Sequence, residues 1–352
     1  MPKGRGPLAA DKMDSFGRAT APDQSLFVSV VIPAYNCAPS LEKCLSSLFA
    51  QTYPRDRYEI MVVDDGSTDN TAEIAQSRAR AWSGRLSVIC KANGGPASAR
   101  NAGVTAMDDD VDVVAFIDSD CIAEPDWLAC LVERLATSGA SGVGGPLLNM
   151  VAPGWISQYL HAAQFYRHRV RHDKVDYLVT ANVAFRRAAL MAVDGFSRRT
   201  GVWGEDADLS FRLLQSGHIL LLAQQGIVTH YGSPTSLRGF VKELYRYGYG
   251  NGVLSRDWPR SRQPGVQLIR HLGAVVVSPA LALAYARRAG MLRALSFCPL
   301  IALEHASFCV GLVRASVGRS RQANAGGDSG RDAGGEAGYE RSGREYHSGR
   351  TQ

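Results

Sequence analysis

Val114-Ala-Phe-Ile-Asp-Ser-Asp120 is an apolar run that stops abruptly in two carboxylates, Asp118 and Asp120, spaced i, i+2. If the run is a strand, residues two apart share one side. At its C-terminal end both carboxylates could then approach one divalent cation. Hard cations such as Mg²⁺ or Mn²⁺ take oxygen ligands and bridge carboxylates to a diphosphate. A strand running into an acidic turn would look the same, so the reading depends on what else the chain brings to that end.

Outward from this run the pattern alternates strand and helix. Val28–Pro33, Tyr58–Val63 and Leu86–Cys90 read as strands, and Val111–Ile117 as a fourth. Between and after them, helices are expected over Ser40–Ala50, Thr68–Trp82, Ala97–Met107 and Trp127–Thr137. Ser67 or Thr68 would cap the second of these, with Asp69 in its first turn. Such alternation predicts an α/β fold with a doubly wound, mostly parallel, Rossmann-like sheet, whose ligands bind beyond the carboxyl ends of the strands. Further on, Tyr177–Arg186 reads as a strand, Ala188–Val193 and Glu205–Ser216 as helices, and His218–His230 as a strand pair or one long strand.

Several polar groups fall at those strand ends. Tyr35, after Pro33, offers a ring to a nucleobase, or belongs to a simple Pro/Asn turn. Asp64 and Asp65 can accept from an imide or a ribose hydroxyl, or cap a helix. Arg100 follows a Gly94-Gly95-Pro96 turn and offers a forked donor to phosphate or base. Gly204-Glu-Asp-Ala-Asp208 opens a helix, where carboxylates commonly cap. A hydroxyl acceptor also needs a base there. Asp206 is the candidate base, and Glu205 the candidate acceptor-binding residue. His230 ends an apolar strand, as a third metal ligand or a structural hydrogen-bonding residue.

Taken in order, Ser29-Val-Val-Ile-Pro-Ala-Tyr-Asn36, Val63-Asp-Asp-Gly-Ser-Thr-Asp69, Ala99-Arg-Asn-Ala-Gly103, Ile117-Asp-Ser-Asp120 and Gly204-Glu-Asp-Ala-Asp-Leu209 resemble glycosyltransferase family 2. The resemblance covers about residues 27–235. It implies a GT-A fold, a nucleotide-sugar donor (UDP, GDP or dTDP) and inversion at the anomeric carbon. Pro33, Tyr35, Asp65 and Arg100 match nucleotide-contacting positions, and Thr180-Ala-Asn182 matches a donor- or acceptor-side segment. Asp118 and Asp120 match the D-x-D pair that holds Mn²⁺ or Mg²⁺. Asp206 matches the catalytic base. Processive members carry Q-x-x-R-W after the base. Here Glu243-Leu-Tyr-Arg246-Tyr247 keeps the Arg but lacks Gln and Trp, which favours one sugar per encounter. Arg246 would steady the departing diphosphate. A sugar-1-phosphate nucleotidyltransferase would need a G-x-G-T-R-x-x-P-K-like loop after the first strand, which is absent. A non-catalytic nucleotide-sugar binder would have lost the carboxylates.

Composition sets the surroundings. The chain has 352 residues, a formal charge of +6 and seven scattered Cys without C-x-x-C. That pattern suits reduced thiols in a cytosolic compartment. No basic, aromatic-interleaved stripe points to nucleic acid. Leu272–Ala286 and Leu292–Val313 are strongly apolar, and Arg262, Arg270, Arg287, Arg288, Arg293, Arg314 and Arg319 flank them. A spanning hairpin would place the middle basic loop outside, against the positive-inside tendency. Residues 237–315 are therefore expected to lie on or dip into an anionic membrane surface at the cytoplasmic face, with a lipid-linked or glycan acceptor. A hydrophobic helical hairpin buried in the protein is the alternative. Residues 1–26 and 316–352 are polar and expected to be disordered.

Overall fold

The computed structural model describes residues 26–150, 153–167, 173–197, 204–259 and 263–325. The expectations for residues 1–25 and 326–352 lie outside the described residues. The strands are β1 (Val28–Ala34), β2 (Tyr58–Asp64), β3 (Arg85–Cys90), β4 (Val113–Ile117), β5 (Cys121–Ala123), β6 (Gly142–Gly144), β7 (Leu147–Asn149), β8 (Asn182–Arg186), β9 (Leu220–Leu222) and β10 (Val228–His230). The helices are α1 (Ala38–Phe49), α2 (Thr71–Ala81), α3 (Pro96–Ala106), α4 (Trp127–Ser138), α5 (Trp155–Arg167), α6 (Arg187–Ala192), α7 (Glu205–Gln215), α8 (Leu237–Asp257), α9 (Pro264–Val276), α10 (Ser278–Ala284), α11 (Ala286–Ala289), α12 (Met291–Ser296) and α13 (Cys298–Ala325).

The main sheet runs β3-β2-β1-β4-β8-β6-β9. β1, β2, β3 and β4 are mutually parallel, and β8 is antiparallel to both neighbours. Helices cover both faces, which is why β1, β2 and β4 read as near-continuous apolar runs rather than alternating ones. One face packs against α1 and α4 through Leu41, Leu45, Trp127 and Leu131. The other packs against α3, α6 and α7 through Ala99, Val104, Leu190 and Leu209. Chain order reverses at β1, whose neighbours are β2 and β4. The crevice beyond their carboxyl ends is therefore the switch point where such sheets bind ligands.

Three boundaries differ from expectation for local reasons. α2 starts at Thr71, not Thr68, because Asp69 Oδ1 accepts from Thr71 Oγ1 (2.5 Å) and Thr71 N (3.1 Å), a turn that precedes the helix. The strand expected over 177–186 forms only from Asn182. The segment 218–230 divides between two sheets: β9 pairs with β6, and β10 joins β5 and β7 in a small second sheet.

The C-terminal helices form their own core. Phe240 and Leu244 of α8 meet Ala282, Phe297, Leu300 and Ile301, and α5 joins them through Ile156 and Tyr159. α8 and α13 cross closely. A Cβ on Gly248 would run into the Phe308 carbonyl, and one on Gly311 into the Tyr245 carbonyl. Only hydrogen allows that approach. α9 and α10 meet at an 81° bend. The stretch Met291–Val317 is long and apolar enough to cross a membrane, with mean hydropathy 1.6. α13 continues to Ala325, so the expectation of a structureless tail from residue 316 fails over its first ten residues.

Candidate active site

Arg100 organises the carboxyl end of the sheet. It sits on α3 and is 3% exposed. Its Nη2 donates to Asp118 Oδ1 at 2.9 Å, just past β4, and its Nη1 donates to Glu205 Oε1 at 2.8 Å, in the first turn of α7. The guanidinium lies 5.6 Å from the Phe196 ring. Arg100, expected to meet a phosphate or base, pairs here with two protein carboxylates. Glu205, expected to bind the acceptor, is buried and pairs with Arg100.

Asp118 and Asp120 take different protein partners. Alternation holds only while the chain stays extended. β4 ends at Ile117, and Cys121 N donates to Asp118 O at 3.0 Å, closing a tight turn. Asp118 is thereby left with Arg100. Asp120 instead accepts from His230, with Oδ2 to Nε2 at 3.2 Å. Burial raises the Asp120 carboxyl, but the His230 hydrogen bond and charge outweigh it and hold the group below its usual range. Burial lowers the His230 imidazole, and the hydrogen bond and charge of Asp120, with Asp118 and Glu243 behind, lift it above its ordinary value. Among the described residues, the group able to hold a metal ion is Asp120, Cys121 and His230, with ligand atoms within 4.8 Å of one another. Asp118, expected as a ligand beside Asp120, lies outside this group and pairs with Arg100.

The donor-side residues line the switch point. Tyr35 follows β1 and is 51% exposed. Asn36, at φ +48°, ties this turn to the next: its N donates to Ser67 Oγ (2.9 Å), and its Oδ1 accepts from Thr68 N (2.8 Å). Pro33 is half-buried in β1, paired with Val63. Asp64 accepts from Ser67 N through Oδ2, while its Oδ1 is buried with no hydrogen-bond partner. Asp65 holds the turn before α3, accepting from Gly94 N and Gly95 N (2.7 Å to Gly95) and from Lys91 Nζ (2.5 Å).

Asn182, expected on the donor or acceptor side, is held by the protein itself. It is 2% exposed, and all its side-chain polar atoms are used. Oδ1 accepts from Trp127 Nε1 (2.7 Å), and Nδ2 donates to the carbonyls of Pro146 (2.8 Å) and Gly226 (2.9 Å).

Asp206 follows Glu205 in the first turn of α7. Gly204 caps that helix at φ +92°, a left-handed conformation suited to glycine. Asp206 is half-buried, and its Oδ1 accepts from Ala207 N at 2.7 Å. Burial and then the Glu205 charge push its carboxyl up to about 6, against opposing pulls from Ala207 N and Arg100. α8 closes over α7 through Leu254 and through Trp258 Nε1, which donates to Asp208 at 3.0 Å. Arg246 is half-buried on α8, one turn beyond the Glu243 whose charge reaches His230.

Comparison with known proteins bears on the family and the fold. Residues 29–193 match glycosyl transferase family 2, and residues 113–309 match glycosyl transferase family group 2. Glycosyltransferase AglE of Haloferax volcanii is 30% identical over 225 residues, 64% of this chain and 72% of that protein. The chain belongs to glycosyltransferase family 2. Pre-mycofactocin glycosyltransferase of Mycobacterium tuberculosis is 29% identical over 67% of this chain but only 49% of that longer protein. Mannosyltransferase PcManGT from Pyrobaculum calidifontis, solved with GDP-Man and Mn²⁺, superposes with a TM-score of 0.60 at 21% identity, covering 85% of this chain and 90% of that one. That likeness shows the GT-A fold. In this family 2 glycosyltransferase the second match runs into α13, so the C-terminal helices belong to the matched region. No sequence signal announced Cys121 as a neighbour of His230, because β5 and β10 are three residues each.

Proposed function

We propose that this glycosyltransferase moves one sugar from a nucleoside diphosphate sugar to a hydroxyl acceptor, with inversion at the anomeric carbon. The observation that carries this reading is Asp206: a half-buried carboxyl raised to about 6, at the switch-point end of the sheet, close enough to Glu205, Arg100 and Asp118 to feel their charges. A base poised near neutral pH suits removal of a hydroxyl proton as the new bond forms. The acceptor oxygen attacks the anomeric carbon, its proton passes to Asp206, and the bond to the diphosphate oxygen breaks with its electron pair. A single displacement of this kind inverts the centre.

Tyr35, Pro33, Asp64 and Asp65 would form the nucleotide pocket, with the unpartnered Asp64 Oδ1 as its spare acceptor. Asp118, anchored by Arg100, would face the donor. Asp120 and His230 fit a divalent cation, Mn²⁺ or Mg²⁺, which when bound would offset the charge of the leaving diphosphate. Arg246 would help to offset that charge from α8. The missing Gln and Trp around Arg246 support single transfer over chain growth.

The acceptor is proposed to be lipid-linked or a glycan at the cytoplasmic face of a membrane. The support is a set of exposed apolar side chains gathered on the C-terminal helices: Val266, Ile269, Leu272, Val276, Met291 and Leu292. Such a surface is characteristic of membrane or partner contact.

A donor panel tests the reading. Cleavage of UDP-, GDP- and dTDP-sugars would be followed with Mn²⁺, Mg²⁺ or chelator. Turnover of one donor class, abolished by chelator, is expected. Full turnover in chelator would remove the cation from the proposal.

A further inference from the structure

The β5–β10 pairing sets Cys121 directly opposite His230. Directly opposed residues of an antiparallel pair place their side chains on one face, with Cβ atoms about 4.5–5.5 Å apart. Asp120 precedes Cys121 and reaches the same imidazole. Three donor atoms of different kinds therefore converge: a carboxylate oxygen, an imidazole nitrogen and a thiol sulfur. Cys121 Sγ lies 3.9 Å from Asp120 Oδ1, and Asp120 Oδ2 lies 3.2 Å from His230 Nε2. Bonds of about 2.0–2.3 Å from one ion to oxygen, nitrogen and sulfur ligands leave those ligands roughly 3–4 Å apart. The sulfur is at the closed, buried side of the cluster, and Asp120 and His230 are at its partly exposed side.

We propose that Cys121 supplies a sulfur ligand to the Asp120–His230 cation site and tunes it towards thiophilic divalent ions, with Zn²⁺ and Cd²⁺ tightest and Mn²⁺ ahead of Mg²⁺. This rests on the reading of Asp120 and His230 as cation ligands. Sites built from oxygen alone suit Mg²⁺, imidazole suits Zn²⁺, and thiolate draws softer ions. Ligation forms a metal–sulfur bond and breaks the S–H bond, and the proton leaves to solvent. Cys44, the other buried thiol nearby, is placed differently: its Sγ faces the Asp118 carbonyl at 3.6 Å.

The test uses the full-length protein freed of metal by chelator. Cd²⁺ is titrated and followed by cadmium NMR, whose chemical shift separates sulfur from oxygen and nitrogen ligation, and Mn²⁺ binding is followed by electron paramagnetic resonance. A cadmium resonance in the sulfur-ligated range that Mn²⁺ removes is expected, and Mg²⁺ should displace Mn²⁺ only at large excess. In Cys121→Ser that resonance should move to the oxygen–nitrogen range and Cd²⁺ binding weaken about tenfold, while Mn²⁺ binding changes by no more than about threefold. A Mn²⁺-sensitive resonance in the oxygen–nitrogen range of the wild type, or an unchanged spectrum in Cys121→Ser, overturns the sulfur ligand and leaves the cation site standing. Failure of the wild type to bind Mn²⁺ or Cd²⁺ overturns both. The wild-type spectrum decides by itself should Cys121→Ser not fold.

Discussion

Arg100 Nη1 meets Glu205 Oε1 at 2.8 Å, across a buried contact between residues 105 positions apart in the chain. With its other arm on Asp118, Arg100 fixes the start of α7 relative to the end of β4. The proposed base, Asp206, is the next residue after Glu205. Its position is therefore inherited from a buried ion pair rather than from a loop.

Removing that strut should cost stability first. Breaking a buried pair from one side leaves the partner charge uncompensated, at about 3–5 kcal/mol. Because Asp118 is one third exposed, the lower end applies to Arg100→Ala. Arg100→Lys, which keeps a charge but cannot fork, should lose less. Urea unfolding measures both. Unchanged stability with weakened donor binding would mean that Arg100 is a ligand after all.

Asn182 should behave in the same manner. Asn182→Ala takes the side-chain partner from Trp127 Nε1 and from the Gly226 carbonyl in the interior, worth about 1–3 kcal/mol for each buried group left unmet, while the Pro146 carbonyl keeps Val228 N. A lower melting temperature with an unaltered KM for the donor is expected. A raised KM at full stability would restore Asn182 to the donor site.

The protein contacts of both residues were out of reach of the sequence for one reason. The sequence shows that Arg100 and Asn182 sit at strand ends, where ligands bind, but not which distant groups turn towards them. Glu205, Trp127 and Gly226 become neighbours only once the sheet has closed. By contrast β1, β2 and β4 were legible because each is buried on both faces and so apolar throughout. The three-residue strands β5, β6, β7, β9 and β10 carry too few residues for any periodicity, so although His230 could be named as a ligand, the place of Cys121 beside it was hidden. The D-x-D spacing did not disclose the turn at Asp118–Cys121, which ends the strand alternation and gives the two carboxylates different protein partners.

The apolar C-terminal surface can be tested without truncation, which would strip α8 from α7. Ile269→Glu, Val276→Glu and Leu292→Glu alter exposed positions. Each should reduce co-sedimentation with anionic lipid vesicles while leaving the free energy of unfolding within about 0.5 kcal/mol of wild type, the usual scale for surface changes. Equal sedimentation of wild type and all three variants would remove the membrane from the proposal.

The raised carboxyl of Asp206 makes two pH predictions with opposite signs. As a base it must be ionised, so kcat should fall with acidity below about pH 6, tenfold per unit. For stability, the native state holds this proton more tightly than the unfolded chain between the ordinary 3.8 and about 6. The contribution is thus present below 3.8 and lost as pH rises through 6. Asp206→Asn should therefore raise the melting temperature at neutral pH and flatten its slope over that window. A melting temperature that drops in Asp206→Asn would contradict the assigned environment.

The most direct measurement compares Asp206→Asn with Asp120→Asn in donor binding and turnover at saturating Mn²⁺. Loss of a general base should lower kcat about 10²–10⁴-fold in Asp206→Asn with donor affinity kept, whereas Asp120→Asn should weaken the Mn²⁺-dependent part of donor binding. Turnover of Asp206→Asn at the wild-type rate, with its acid limb intact, would contradict the account.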